Sequence, residues 1–140
     1  MKFNIVIDTG FWIALFDPAK DPKNGLKAER IADVIIDENL IIPFPTLYEF
    51  VNSRLSRREA KFQLEMLLSR PNVIKLSDTN YKDEALESFF LKSKSDYSDV
   101  SLVDEIIKLI MADKTLKIDY IASFDKGLLN DALSKGIREI

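Results

Sequence analysis

Neither cysteine nor histidine occurs anywhere in the 140 residues. The first absence rules out disulfides, thiolate metal sites and a cysteine nucleophile; the second removes the commonest general base and the imidazole metal ligand. Any chemistry must therefore run on carboxylates, hydroxyls and amines. The chain also lacks an apolar run of membrane-spanning length. Its start, Met-Lys-Phe-Asn, has no long apolar h-region, so a soluble, cytoplasmic protein with no membrane partner is expected. An excess of positive charge is missing too. The net charge of −3 argues against a dedicated nucleic-acid coat protein, although a local basic patch can still bind phosphate. There is no repeat and no low-complexity segment, and the length suits a single domain spanning residues 1–140 that buries its own core.

What is present is organised around the opening stretch. Phe3, Ile5, Val6 and Ile7 form a continuous apolar run of strand length, the pattern of a parallel strand buried on both faces. Asp8 emerges at its carboxyl end, and Thr9-Gly10-Phe11-Trp12 leads into a helix whose aromatics Phe11, Trp12 and Phe16 are expected in the core. Ligands of open α/β sheets bind outside the carboxyl ends of the strands, so Asp8 is a site candidate by geometry alone.

The rest of the chain alternates. Pro18 to Gly25 reads as a charged turn segment before a helix from about Leu26 to Asp37, with Ala28, Ile31, Ala32 and Ile35 at helical spacing. Leu40 to Pro45 reads as a short second strand ended by prolines, after which Thr46 opens a helix carrying Leu47, Phe50, Val51 and Leu55. Another helix runs from Arg58 to Leu68, a third strand over Val73–Leu76, and a helix from roughly Asn80 to Lys92. The polar Lys92–Asp99 segment reads as a loop before the most apolar helix, Val100 to Met111. A fourth strand over Tyr120–Ser123, a short helix from Asp125 to Leu133 and an edge strand at Ile137–Ile140 complete the pattern. Strands alternating with helices imply a three-layer α/β/α sandwich with a central, mostly parallel sheet of four to five strands.

Four acids share one position type. Asp8, Glu49, Asp104 and Asp125 each sit where a strand ends or a helix begins, so they can converge on one edge of the sheet. A plainer explanation competes: Thr46-Leu-Tyr-Glu49 and Ser101-Leu-Val-Asp104 both match the capping box, and Asp125 before Lys126-Gly127 can cap a helix. Asp104 stands apart. With the solvent stripe of its helix drawn through Ser101, Glu105, Lys108 and Ala112, Asp104 falls beside Val100, Ile107 and Met111, where a carboxylate needs a cation, a metal or dense hydrogen bonding.

The Asp8-Thr-Gly-Phe-Trp start, Pro45-x-x-x-Glu49, Leu102-Val103-Asp104 heading an apolar helix, and Ala122-Ser123-Phe124-Asp125 after a late strand together resemble the PIN-domain nucleases. In length and motif order the chain is similar to the stand-alone VapC-type toxins, and the likeness covers nearly all of it. The resemblance implies a ribonuclease whose acidic quartet of Asp8, Glu49, Asp104 and Asp125 holds divalent metal. Thr9 and Ser123 are then polar supporters, Ser123 standing where the family more often has threonine, and Asp99 is a fifth acid or a solvated loop aspartate. It further implies a homodimer silenced by a cognate antitoxin that covers the acidic pocket. Leu47, Tyr48 and Val51 are apolar residues available to an interface or to the core. Housekeeping RNA processing and an inactive PIN-like binding module are the alternatives.

Physical chemistry agrees with that assignment. Crowded carboxylates repel, which raises some of their pKa values unless a cation sits among them. Oxygen-only ligands favour Mg²⁺ or Mn²⁺ over zinc, and such an ion lowers the pKa of a bound water and neutralises charge on a phosphate. Other families fit less well. Asp8-Thr9-Gly10 is the triplet of aspartic proteases, whose folds are all-β; a haloacid-dehalogenase phosphatase wants an aspartate where Gly10 stands; a receiver domain wants its phosphoacceptor where only Ser77-Asp78 is found. Arg54, Arg57, Arg58 and Lys61 fall at i, i+3, i+4 and i+7. They share a face if the helix continues through Ser56, either steering RNA toward the acids or forming a solvated face paired with Glu59 or Glu65.

Overall fold

A computed structural model describes residues 1–54, 58–95 and 101–140, with side chains at 1–51, 60–92 and 101–140. Five strands form one all-parallel sheet: β1 (Asn4–Ile7), β2 (Asn39–Pro43), β3 (Val73–Leu76), β4 (Tyr120–Ala122) and β5 (Arg138–Glu139), in the order β3-β2-β1-β4-β5. Seven α-helices lie among the described residues: α1 (Thr9–Phe16), α2 (Pro22–Ile35), α3 (Phe44–Arg54), α4 (Arg58–Leu68), α5 (Lys82–Ser95), α6 (Leu102–Ala112) and α7 (Lys126–Ser134). None of the described helices is long and apolar enough to cross a membrane.

The period-two geometry of a strand explains why β1 and β2 are apolar over Ile5–Ile7 and Leu40–Pro43, behind the hydrogen-bonded pair Asn4 and Asn39 at their starts. Ile5, Ile7, Leu40 and Ile42 point into a core with Phe11, Trp12, Ala28, Phe50 and Leu64, from α1 to α4. Val6, Ile41 and Ile121 point the other way, against Ile106, Ile107 and Ile110 of α6 and Leu128 and Ala132 of α7. A strand feeding two cores has no polar position to spare. Phe3 is the exception to the expected run: it precedes β1, is half exposed and meets the edge of Tyr120 at 5.2 Å.

Three local expectations are corrected. The helix expected from Leu26 begins at Pro22, because Asp21 caps it by accepting a hydrogen bond from Asn24 N at 3.3 Å and proline suits the first turn. The helix expected from Thr46 begins at Phe44, with Pro45 in its first turn, and Thr46 Oγ1 donates to Pro43 O at 2.7 Å. Thr46 is therefore no N-cap, and the capping-box explanation of Glu49 fails. The solvent stripe of α6 is also redrawn. Glu105 is buried, receives Lys92 Nζ at 2.6 Å and Ser88 Oγ at 3.1 Å from α5, and has Lys108 Nζ at 4.0 Å. An acid that looks solvated along one helix is neutralised by the next. Leu47 is buried in the core, whereas Tyr48 and Val51 are exposed.

Gly25, expected to close a turn, lies buried inside α2. A Cβ there would come within 2.9 Å of Pro18 Cβ and 3.5 Å of Ala14 O, so the crossing of α1 and α2 depends on its hydrogen. In a free helix Gly→Ala gains about 1 kcal/mol. Here overpacking against a rigid proline outweighs that gain, and Gly25→Ala is expected to lower stability by about 1 to 2 kcal/mol in urea unfolding; a more stable variant would contradict the close approach.

Candidate active site

The order of strands reverses between β1 and β4: the chain runs outward from β1 to β2 and β3, then returns to the other side of β1 for β4 and β5. A crevice at the carboxyl ends of such a pair is where open α/β sheets bind ligands. Asp8 leaves β1 at this point and Ser123-Phe124-Asp125 leaves β4 beside it. Asp8 N donates to Ala122 O at 3.1 Å, carrying the ladder one residue past the strand.

Two hydroxyls connect the acids. Asp8 Oδ1 accepts from Thr9 N at 2.7 Å, and Asp8 Oδ2 accepts from Ser123 Oγ at 3.0 Å. Thr9 Oγ1 donates to Glu49 Oε1 at 2.9 Å, while Ser123 Oγ accepts from Asp125 N at 3.0 Å. Thr9 thus joins Asp8 to Glu49, and Ser123 joins Asp8 to the residue that opens α7. Asp104 lies at the third position of α6 in a reciprocal capping box with Ser101, at 3.1 and 3.4 Å. Asp125 caps α7, accepting from Leu128 N at 3.0 Å. A Cβ at Gly127 would stand 3.1 Å from Asp125 Oδ1, so glycine leaves that carboxylate room.

Capping and clustering therefore hold together. Asp8, Asp104 and Asp125 each occupy a helix start, where backbone N–H groups favour negative charge, and the three starts bring their charges within range of one another. Burial dominates at Asp8. Only 7 % exposed, its carboxyl is pushed up to about 6 by loss of water, with the charges of Asp104 and Asp125 adding to the rise and the Ser123 and Thr9 hydrogen bonds opposing it. The Asp104 carboxyl is raised likewise, first by burial and then by Asp125, against the hydrogen bonds from Ser101 and the charge of Lys108.

The donor set, carboxylate and hydroxyl oxygens alone, suits a hard divalent cation. Among the described residues no three acids are close enough to chelate an ion together. Asp104 and Asp125 are instead turned to their caps.

Of the other expected site residues, Asp99 and Arg57 lie outside the described residues. Arg54 ends α3 and Arg58 opens α4, with their side chains not described, and Lys61 is exposed on α4. The sequence reading missed Lys23, Lys27 and Lys126, which line a cleft next to Asp125. Of these only Lys126, adjacent to an already suspected acid, carried a local signal.

The raised Asp8 carboxyl has a definite sign in stability. A folded-state value of about 6 against an ordinary 3.8 means the folded protein holds an extra proton between those values, so this group weakens the fold as pH rises through the window. Metal-free Asp8→Asn should exceed wild type in stability by about 1 to 3 kcal/mol near pH 7, the difference closing near pH 4. Urea unfolding across that range checks it, and a variant weaker than wild type at neutral pH would mean that the cap outweighs the burial.

The PIN domain family model matches residues 5–132. No curated protein matches the chain in sequence. Among solved structures, Mycobacterium tuberculosis VapC20, described as a sarcin-ricin loop cleaving toxin, superposes with a TM-score of 0.70 at 23% identity, over 97% of this chain and 98% of that one. The expected three-layer fold is the observed one, and with the family model spanning nearly its whole length the chain belongs to the PIN domain family.

Proposed function

We propose that the protein is a divalent-metal-dependent endoribonuclease that hydrolyses RNA phosphodiester bonds, and that it is the toxin of a toxin–antitoxin pair acting in the cytoplasm. The observation that carries this reading is the buried Asp8 carboxylate at the β1/β4 crevice, in no ion pair among the described residues, joined to Glu49 through Thr9 and to Asp125 through Ser123. Membership of the PIN family and a fold shared with an RNA-cleaving toxin support it.

Asp8, Glu49, Asp104 and Asp125 are the residues that would hold Mg²⁺ or Mn²⁺, which requires Asp104 or Asp125 to leave its cap and turn toward the ion. When bound, the ion supplies an activated water and neutralises charge on the phosphate under attack. The remaining work belongs to the chain. The Ser123 hydroxyl fixes the direction of Asp8 Oδ2, and Thr9 holds Glu49 Oε1 on the same side of the crevice. The starts of α1, α6 and α7 place backbone N–H dipoles around the acids, which keeps them ionised once a cation offsets their mutual repulsion.

Asp8→Asn or Asp104→Asn should remove nearly all RNA cleavage while leaving the fold intact, and added Mg²⁺ or Mn²⁺ should raise the melting temperature of wild type more than of either variant. Thr9→Val and Ser123→Ala, which release rather than delete an acid, should cost about 10- to 100-fold in activity. An Asp104→Asn protein that is destabilised, insensitive to metal and still able to cut RNA would leave Asp104 as a helix cap and nothing more.

A homodimer and a cognate antitoxin complete the proposal. Phe44, Tyr48 and Val51 on α3, near Glu49 in the chain, and Phe62 and Met66 on α4 are exposed apolar residues suited to an interface. Light scattering of the purified protein should return twice the chain mass; a strict monomer at high concentration removes the dimer.

A further inference from the structure

Beside Asp125 an open cleft of about 540 Å³ runs between the start of α2, the start of α7 and β5, with Lys23, Lys27, Phe124, Lys126, Asn130 and Glu139 on its walls. Its charge is unbalanced. Lys27 is shared between Glu139, at 3.7 Å, and the ring of Phe124, 5.7 Å from the centroid. Lys23 and Lys126 have no anionic partner among the described residues. Phe124 is half-buried and held in place by stacking on Phe11, with centroids 6.2 Å apart and planes 20° apart. A rigid aromatic wall among unpaired ammonium groups is the chemistry that receives single-stranded nucleic acid: phosphates on the lysines, a base against the ring.

Position makes the cleft specific to the proposed reaction. Phe124 and Lys126 flank Asp125 in the chain, and Ser123, which donates to Asp8 and accepts from Asp125 N, precedes them, so the wall of the cleft continues the segment that lines the crevice. Resting on the nuclease reading above, we infer that this cleft binds the RNA segment on one side of the cut, with Lys23 and Lys126 each taking a backbone phosphate and Phe124 packing against a base. Lys27 holds the ring side of the cleft and is part-neutralised by Glu139. The cleft therefore supplies affinity, whereas the acids supply the chemical step.

The test measures binding of a short fluorescein-labelled oligouridylate by anisotropy at several salt concentrations, on an Asp8→Asn background so that the RNA stays whole. Lys23→Glu/Lys126→Glu should weaken binding by roughly tenfold or more and reduce the slope of log affinity against log salt by about 0.7 for each lysine. The control pair Lys2→Glu/Lys117→Glu makes the same change in net charge at the opposite, amino-terminal edge of the sheet and should leave both quantities near wild type. With Asp8 restored, the cleft variant should raise KM with little change in kcat. Affinity and slope equal to the Asp8→Asn parent, an equal loss in the control pair, or no RNA binding by that parent would each overturn the assignment. If the Asp8-restored wild-type protein with Mn²⁺ cuts no RNA, the nuclease reading falls instead, while the binding comparison still decides the cleft.

Discussion

The pairing of β1 with β4 is the constraint on which the site depends. Through it Asp8 N reaches Ala122 O and Asp8 Oδ2 meets Ser123 Oγ, so two segments 115 residues apart in the chain deliver an acid, a hydroxyl and a helix start to one crevice. Both strands are buried on both faces, and the alternation of Val6 and Ile121 against Ile5, Ile7 and Ala122 locks their register. A slip of one residue would expose the core and pull Asp8 from Ser123 together. Stability of the fold and geometry of the site are thus specified by the same contacts.

Around that pairing the carboxylates have two employments that compete. Asp8, Asp104 and Asp125 cap helices, which is worth about 1 kcal/mol each in favourable cases. Burial and mutual repulsion act against the same charges, most strongly at Asp8. The balance leaves a site that is held in shape by backbone N–H groups and two hydroxyls, around a buried Asp8 carboxyl that is in no ion pair among the described residues. Under the proposed function, a bound cation would relieve that repulsion.

Much of this was legible in the sequence, because buried parallel strands and the acids that end them are local signals. The apolar runs at Ile5–Ile7 and Leu40–Ile42 carried the sheet, and the strand-to-helix junctions carried Asp8 and Asp125. What escaped was set by contacts between distant segments. Glu105 looked solvated because Lys92 and Ser88 lie on another helix. Gly25 looked like a turn because only its meeting with Pro18 reveals a packing role. Pro22 read as part of the Pro18–Gly25 turn segment, although a proline after a capping Asp21 opens a helix. The link from Thr9 to Glu49 crosses 40 residues, and the basic cleft joins α2 to α7, so neither leaves a periodic trace.

The central claim is that the β1/β4 crevice is a cation site built on Asp8. Anomalous scattering from crystals soaked in Mn²⁺ tests it most directly, since it locates the ion rather than its effects. The account predicts one strong peak within coordination distance of the Asp8 carboxylate, with Asp104 or Asp125 turned from its cap toward the ion, and no such peak in Asp8→Asn crystals. A peak elsewhere, or none at saturating Mn²⁺ with all three acids still on their helix starts, would contradict it.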